Sequence, residues 1–348
     1  MKPYGLISDT HHHLWSAFST TLPSGVNSRL QTILDETVRC AETLGKAGGD
    51  TIIHAGDLFH VRGSVAPSVL NPTLETYKKL TKLGFKIVIV AGNHDLEGKD
   101  ANELGSAITA LKEVGCTIVS ESHFLLHDNT CLVPWVPNVG DLKALLDKID
   151  LSYRTGRDLV IHAGIDGVIP GLPDHGLDAG YLSKLGFKRV FAGHYHHHKK
   201  LHDNVWSIGA LTHQTWGDVG TKAGFVIVSD KEVKWHASHA PSFVEIDPAT
   251  PPEDVPLIVD GNYVRAKLAT SKPSEIDAAR KLLEKCGARG VTIISQPPKG
   301  VTRTASSVKA GASLEASVQG YINDGDFEHK KELGVLCDSI LKEAREAA

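Results

Sequence analysis

Five short apolar runs, each stopping in a cluster of Asp, Asn, His and Gly, constrain this 348-residue chain more than any other feature of it. The runs are Tyr4 to Ser8, Thr51 to His54, Lys86 to Val90, Asp158 to His162 and Arg189 to Ala192. Between them, Ser28 to Leu44 and Pro67 to Leu83 carry helical spacing, Pro67 suits a first helical turn, and Ala101 to Val114 reads as a third helix. Such alternation predicts an α/β layered fold around a largely buried sheet. After His202 the spacing shortens, and Val205 to Ile208, Gly224 to Val228 and Val233 to Trp235 read as antiparallel strands completing that sheet.

The first domain is expected to span residues 1–240. A small α/β module, 241–297, follows the proline-rich Pro248 to Pro256, with strands at Asn262 to Leu268 and Gly290 to Ser295 and a helix opened by Ser271 to Ser274. Residues 298–348 read as a linker and a helical tail, the linker being Pro297 to Ala312 and the helices Leu314 to Ile322 and Leu333 to Ala347. With 41% hydrophobic and 22% charged residues the composition is that of an ordinary globular protein. Its 5 cysteines form no CxxC pair, the start MKPYGLISDT is too short an apolar run for a signal peptide, and no stretch approaches the roughly 20 apolar residues of a membrane span. A soluble, cytoplasmic protein is expected. A net charge of −4 gives no global basic field, so any nucleic-acid contact has to be local or shared with a partner.

The chemistry lies in the strand-end clusters: Ser8-Asp9-Thr10-His11, Gly56-Asp57, Gly92-Asn93-His94-Asp95, His162-Ala163-Gly164 and Gly193-His194-Tyr195-His196. Side chains at the carboxyl ends of strands in an α/β sheet converge on one crevice. In extended backbone Asp9 with His11, and His194 with His196, would each point to one side. Seven donors, Asp9, His11, Asp57, Asn93, His162, His194 and His196, suffice for two divalent ions sharing one carboxylate, an arrangement that activates water and stabilises a phosphoryl transition state. Glycines 56, 92 and 193 would let the chain turn beside the ions. The remaining neighbours, His12, His13, His197 and His198, are expected on a solvated rim.

In order, these motifs resemble those of the calcineurin-like metallophosphoesterase superfamily, D-x-H, G-D, G-N-H-D/E, H and G-H-x-H, over about residues 1–230. The resemblance implies a metallophosphoesterase β-sandwich flanked by helices. It also implies one ion on Asp9, His11, Asp57 and His196 and a second on Asp57, Asn93, His162 and His194, with Asp57 bridging. Gly56-Asp57-Leu58-Phe59-His60 and the pair Arg29 and Asp35 are similar to the nuclease branch, that of SbcD-like and phage recombination endonuclease subunits. That branch implies manganese, DNA as substrate, an SbcC-like ABC-type ATPase partner and association of two copies.

His94 is the expected catalytic group, protonating the departing 3′ oxygen or stabilising phosphate charge, with Asp95 orienting its ring and His60 contacting the phosphate. Lys199 and Lys200 are candidates for phosphate contacts. Two rival readings stand beside the DNA nuclease. One is a phosphodiesterase for cyclic nucleotides or other small esters, and the other is a metal-free scaffold, whose signature would be lost ligands.

Overall fold

The computed structural model describes residues 1–98, 103–121, 125–295 and 313–346. The chain divides into two compact units, Met1–Ala266 with Ala279–Ile293, and Lys267–Ala278 with Ile294–Ala348. In chain order the first elements are β1 (Tyr4–Ile7), α1 (Ser28–Lys46), β2 (Thr51–His54), α2 (Pro67–Lys82), β3 (Lys86–Val90) and β4 (Thr117–Val119). The hairpin of β5 (Leu125–His127) and β6 (Thr130–Val133) follows, then α3 (Val139–Lys148), α4 (Leu151–Arg154), β7 (Asp158–His162), α5 (Ala179–Ser183) and β8 (Arg189–Gly193). The domain closes with β9 (Lys199–His202), β10 (Val205–Ser207), β11 (Gly224–Val228) and β12 (Val233–Ala237).

These strands build two six-stranded sheets, ordered β12-β11-β1-β2-β3-β4 and β5-β6-β7-β8-β10-β9. Within them β1 through β4 are mutually parallel, as are β6, β7, β8 and β10, while β11, β12, β5 and β9 run antiparallel to their neighbours. The period of two in β1 explains the layering. Tyr4 and Leu6 face the second sheet and join Ile53, Val88 and Val90 against Leu132, Val160 and Phe191. Ile7 faces outward onto α1 and α2, with Leu30, Leu34, Ile52 and Tyr77. A third cluster, including Leu142, Leu146, Leu159, Ile161 and Leu182, seats α3 and α5 on the outer face of the second sheet. The result is an α/β sandwich with helices on both outer faces, as the family resemblance implies; the strand spacing alone suggests a single sheet closed by antiparallel strands, whereas Val205–Ser207 pairs parallel to β8 in the second sheet and β11 and β12 complete the first.

At the amino ends of the strands a buried network ties the sheets together. Asp158 accepts from the Tyr4 hydroxyl at 2.7 Å and pairs with both Arg189 Nε and Nη2, at 2.8 and 2.7 Å. Arg189 Nη1 donates to the Ser229 carbonyl beyond β11. The carboxyl ends are thereby left for the polar clusters.

The third helix expected over Ala101 to Val114 is not an α-helix. Residues 101 and 102 lie outside the described residues, and 3-10 turns occupy Glu103–Gly105 and Ala107–Val114. Ile108 and Leu111, the buried pair, are three apart, the period on which a 3-10 turn aligns side chains. Gly115, at φ 90°, ends it.

Beyond residue 240 the chain adds β13 (Phe243–Ile246), α6 (Val255–Val259), β14 (Tyr263–Leu268), α7 (Pro273–Lys285) and β15 (Gly290–Ser295), with a three-stranded sheet of order β13-β14-β15. Val259, Val264, Ala266, Leu283 and Val291 form its core. In the second unit α8 (Leu314–Asp324) packs on α9 (Lys330–Glu346). The linker expected at Pro297 to Ala312 lies outside the described residues.

Candidate metal centre

All five polar clusters meet at the carboxyl ends of β1, β2, β3, β7 and β8, where the two sheets adjoin. The local backbone differs from the extended form that the D-x-H spacing suggests. Asp9, His11 and Asp57 take φ values of 49°, 44° and 56°, and His194 takes 98°. Left-handed conformations at non-glycine residues are strained, and here the surrounding structure holds them. The Asp9 and His11 amides donate to the Gly56 and Asp57 carbonyls, so the β1 and β2 loops run side by side. Gly56, at φ 103°, turns the chain as expected, and a Cβ there would overlap the His162 imidazole. Glycines 92 and 193 serve another purpose, because a Cβ on either would strike Asp57 or Ser8.

Among the described residues three groups have ligand atoms within 4.8 Å of one another: Asp9, His11 and His196, then Asp57, His162 and His194, and an all-histidine group of His11, His60 and His94; the first two, which contain a carboxylate, are the two donor sets. Asn93 joins the second, its Oδ1 lying 3.3 Å from His162 Nε2 and 3.1 Å from His194 Nδ1. In the first set His196 Nε2 lies 3.2 Å from His11 Nε2. Two donors each roughly 2.1 Å from one ion sit roughly 3.0–3.4 Å apart across the angles of octahedral and tetrahedral shells. The observed spacings match that. Asp57 Oδ2 faces both sets at once, 3.4 Å from His162 Nε2 and 3.8 Å from His11 Nε2.

The far sides of the rings are anchored. His162 Nδ1 donates to the Ala55 carbonyl at 2.7 Å, which leaves Nε2 as the ring atom facing Asn93 and Asp57 and the one that would bind an ion on losing its proton. His196 Nδ1 is held at 2.7 Å by Asp218 Oδ1, whose partner oxygen accepts from the Gln214 and Thr215 amides. Asp218 is not a site candidate from sequence, where Trp216-Gly217-Asp218 only resembles the closing segments of the nuclease branch; in the structure it ends the 3-10 turn Trp216–Asp218 as the acidic member of a capping box opened by Thr215. Trp135, whose ring lies 5.1 Å from that of His194, was missed as well.

Electrostatics favours cations. For Asp57 burial pushes the carboxyl up, but His162 and then His11 outweigh it and hold it well below the usual carboxylate range. Burial lowers His162, yet Asp57 overcomes this and lifts it to about 9. His11 falls well below its ordinary value and His194 falls to about 3, both chiefly through burial. Ionised Asp57 beside neutral His11 and His194 is ready for a divalent ion, whereas Asp9, raised by burial, and His162 and His196, lifted by neighbouring carboxylates against burial, would release protons as an ion binds. The residues present therefore fit two divalent metal ions.

The expected catalytic residues divide. His94 stands beside the first set, 4.9 Å from the His11 ring, with its amide on Asp57 Oδ1 at 2.8 Å. Its Nδ1 donates to the His60 carbonyl at 2.6 Å, so Nε2 is the free atom. Asp95 does not orient that ring. Fully buried, it accepts from the Leu58, Phe59 and Gly92 amides and fastens the β2 loop to the β3 loop. His60 Nδ1 lies 3.4 Å from His11 Nδ1.

The supposed rim histidines also divide. His12 is 1% exposed and belongs to the core, because its bridge to Phe59 turns it inward. His198 stacks on Trp235, while His13 and His197 are part-buried. Lys199 donates to the Gly167 carbonyl and Lys200 lies over the Trp206 ring. Arg29, 5% exposed, donates to the Gln214 carbonyl at 2.6 Å and so braces the loop that carries Asp218.

The chain matches the family model described as calcineurin-like phosphoesterase over residues 2–198. It belongs to that family, a class of metal-dependent phosphoesterases. Among curated relatives it is 25% identical over 199 residues to exonuclease subunit 1 of Enterobacteria phage T4, covering 55% of this chain and 56% of that one. It is 24% identical over 180 residues to the DNA double-strand break repair protein Mre11 of Methanocaldococcus jannaschii, covering 49% and 47%. The chain thus spans about half the length of the curated relatives it matches. Among solved structures, Pseudomonas putida nuclease MPE aligns with a TM-score of 0.29 at 19% identity, over 58% of this chain and 66% of that one. No helix among the described residues is long and apolar enough to cross a membrane.

Proposed function

We propose that the protein is a two-metal DNA nuclease that hydrolyses phosphodiester bonds in recombination or repair, with manganese as its working ion and an SbcC-like ATPase as its partner. The observation that carries the two-ion reading is Asp57 Oδ2, placed between His162 of one donor set and His11 of the other. Asp9, His11, Asp57 and His196 would hold one ion, and Asp57, Asn93, His162 and His194 the second. Bound there, divalent ions supply an acidified water and charge neutralisation for in-line displacement at phosphorus.

The chain's own residues supply the rest. His94, fixed through Nδ1 by the His60 carbonyl, would act as the imidazolium, its Nε2–H passing its proton to the leaving oxygen and leaving the neutral ring. Asp95 keeps the His94 and Asp57 loops in register through three backbone amides, which spares the centre a reorganisation cost. The nuclease relatives support DNA as substrate. Exposed Val335, Leu336 and Ile340 on α9 support docking on a partner helix.

The test is manganese-dependent degradation of end-labelled linear duplex and single-stranded DNA, run beside a small diester and the His94→Ala variant. Cleavage of DNA that the variant loses, while it still binds manganese, is expected. Hydrolysis of the small diester with DNA untouched, even when an SbcC-like ATPase is supplied, would overturn the nuclease reading.

A further inference from the structure

We propose that a pocket of about 160 Å³ beside the metal centre receives one unstacked nucleobase of the strand whose phosphate the centre holds. This rests on the nuclease reading and deepens it by naming what the protein grips next to the scissile bond. The walls are mainly Leu14, Phe59, Val61, Val65 and Val69, with His12 as the buried polar group. No Lys, Arg, Asp or Glu lines it, so it lacks the charge that holds a phosphate. The volume far exceeds the roughly 10–15 Å³ that lodges one water and falls short of the roughly 300–1,000 Å³ of a cleft for a drug-sized molecule. A single flat ring system is the group of that size.

His12 lies behind the apolar wall. Its Nδ1 lies 3.0 Å from the Thr73 hydroxyl, which itself donates to the Val69 carbonyl at 2.8 Å. The hydroxyl therefore accepts, and the imidazole carries its proton on Nδ1. Nε2 is left as a buried acceptor with no partner among the described residues. That atom is shielded from the pocket as it is from solvent, so what a base meets is the apolar wall of Leu14, Phe59, Val61, Val65 and Val69, which offers stacking and burial rather than a hydrogen-bonded edge.

Position supplies the link to catalysis. The His13 ring, on the pocket wall, lies 4.9 Å from that of His60, and His60 Nδ1 lies 3.4 Å from His11, a member of the first donor set. His13 and His60 thus link the pocket to the first donor set. On the opposite flank a larger cavity of about 560 Å³, bordered by His194, His196, Thr215 and Asp218, leaves room for the strand to continue. Leu14 and Val61, 39% and 41% exposed, form an apolar lip able to part a base from its neighbour. Such a site selects unpaired strands and ends over intact duplex, with little base preference.

The experiment uses the full chain, and its probe is a single-stranded oligonucleotide scanned with one abasic position at a time. Ala66→Trp fills the pocket from a residue that both lines it and is exposed, so no packed core is disturbed. Hydrolysis of bis(4-nitrophenyl) phosphate, which carries no base, reports that the metal centre is intact in the variant. The expected result is a single position near the cut where the abasic probe costs the wild type about tenfold in kcat/KM, in line with base stacking on a protein surface, and costs Ala66→Trp nothing further. A 2-aminopurine at that position should change its fluorescence on binding in the presence of chelator, and Ala66→Trp should abolish the change. DNA cleavage with a flat scan, or abasic and Ala66→Trp losses that simply multiply, overturns the pocket alone. Retained diester hydrolysis with no binding or cleavage of DNA overturns the nuclease reading and the pocket with it.

Discussion

Replacing Asp218 by Asn should weaken one of the two ions and spare the other. Asp218 Oδ2 accepts two backbone amides, from Gln214 at 2.7 Å and Thr215 at 2.8 Å, while Oδ1 accepts from His196 Nδ1 at 2.7 Å. An Asn amide group cannot face two N–H donors, so its oxygen must take that side and its NH₂ must turn to His196. A donor opposite Nδ1 drives the ring proton onto Nε2, the atom that lies 3.2 Å from His11 Nε2 in the first donor set. Ligation there then requires breaking the new tautomer or rotating the ring. Loss of such a supporting carboxylate typically costs 10–100-fold in metal affinity, about 1.4–2.7 kcal/mol. Titration calorimetry of chelator-treated protein with manganese should show two binding events in the wild type and, in Asp218→Asn, one event weakened by that factor. Since the capping amides keep an oxygen acceptor, thermal unfolding should move little. Two events of unchanged affinity, or equal weakening of both, would refute the reasoning.

Asp57→Ala removes the carboxylate that faces both donor sets, so both ions should weaken, and elemental analysis that finds one ion retained at native affinity would rule out bridging. Gly56→Ala places a methyl on the His162 ring at a backbone angle of 103°, for a stability loss of about 1–3 kcal/mol with weaker metal binding; a denaturant midpoint and ion content equal to the wild type would contradict this. At the other end of the strands, Asp158→Ala strands a buried Arg189 and should cost about 3–5 kcal/mol, whereas Tyr4→Phe gives up one hydrogen bond for about 1 kcal/mol. Diester hydrolysis per folded molecule should be unchanged in both, and a selective loss of turnover would tie this network to the site.

What the sequence made legible follows from where the information is local. The five strand runs and their terminal clusters are contiguous, so the seven donors could be read directly, and their convergence at the strand ends follows from one rule about α/β sheets. The same locality misled where backbone conformation is set from outside. Asp9 and His11 look like an extended i, i+2 pair, yet both are left-handed because neighbouring loops from β1 and β2 share backbone hydrogen bonds. His12 looks like a surplus surface histidine, yet the Phe59 bridge turns it into the core.

Asp218 and Trp135 mark the other boundary. Neither lies in one of the five strand-end clusters, and each gains its place only when the chain folds back, Asp218 onto a ring 22 residues earlier and Trp135 beside β3, where its amide meets the Ala91 carbonyl. Metal donors are chosen by chemistry that few side chains offer, so they stand out in a sequence. Groups that orient them need only a hydrogen-bonding atom at the right distance, which many residues can provide, and the fold alone selects among them. Asp95 shows the same principle inside a motif. Its position next to His94 invites a catalytic role, but its two oxygens are committed to three amides, and the ring is fixed instead by a main-chain carbonyl of His60. Main-chain atoms carry no sequence signature, so this arrangement is visible only in three dimensions.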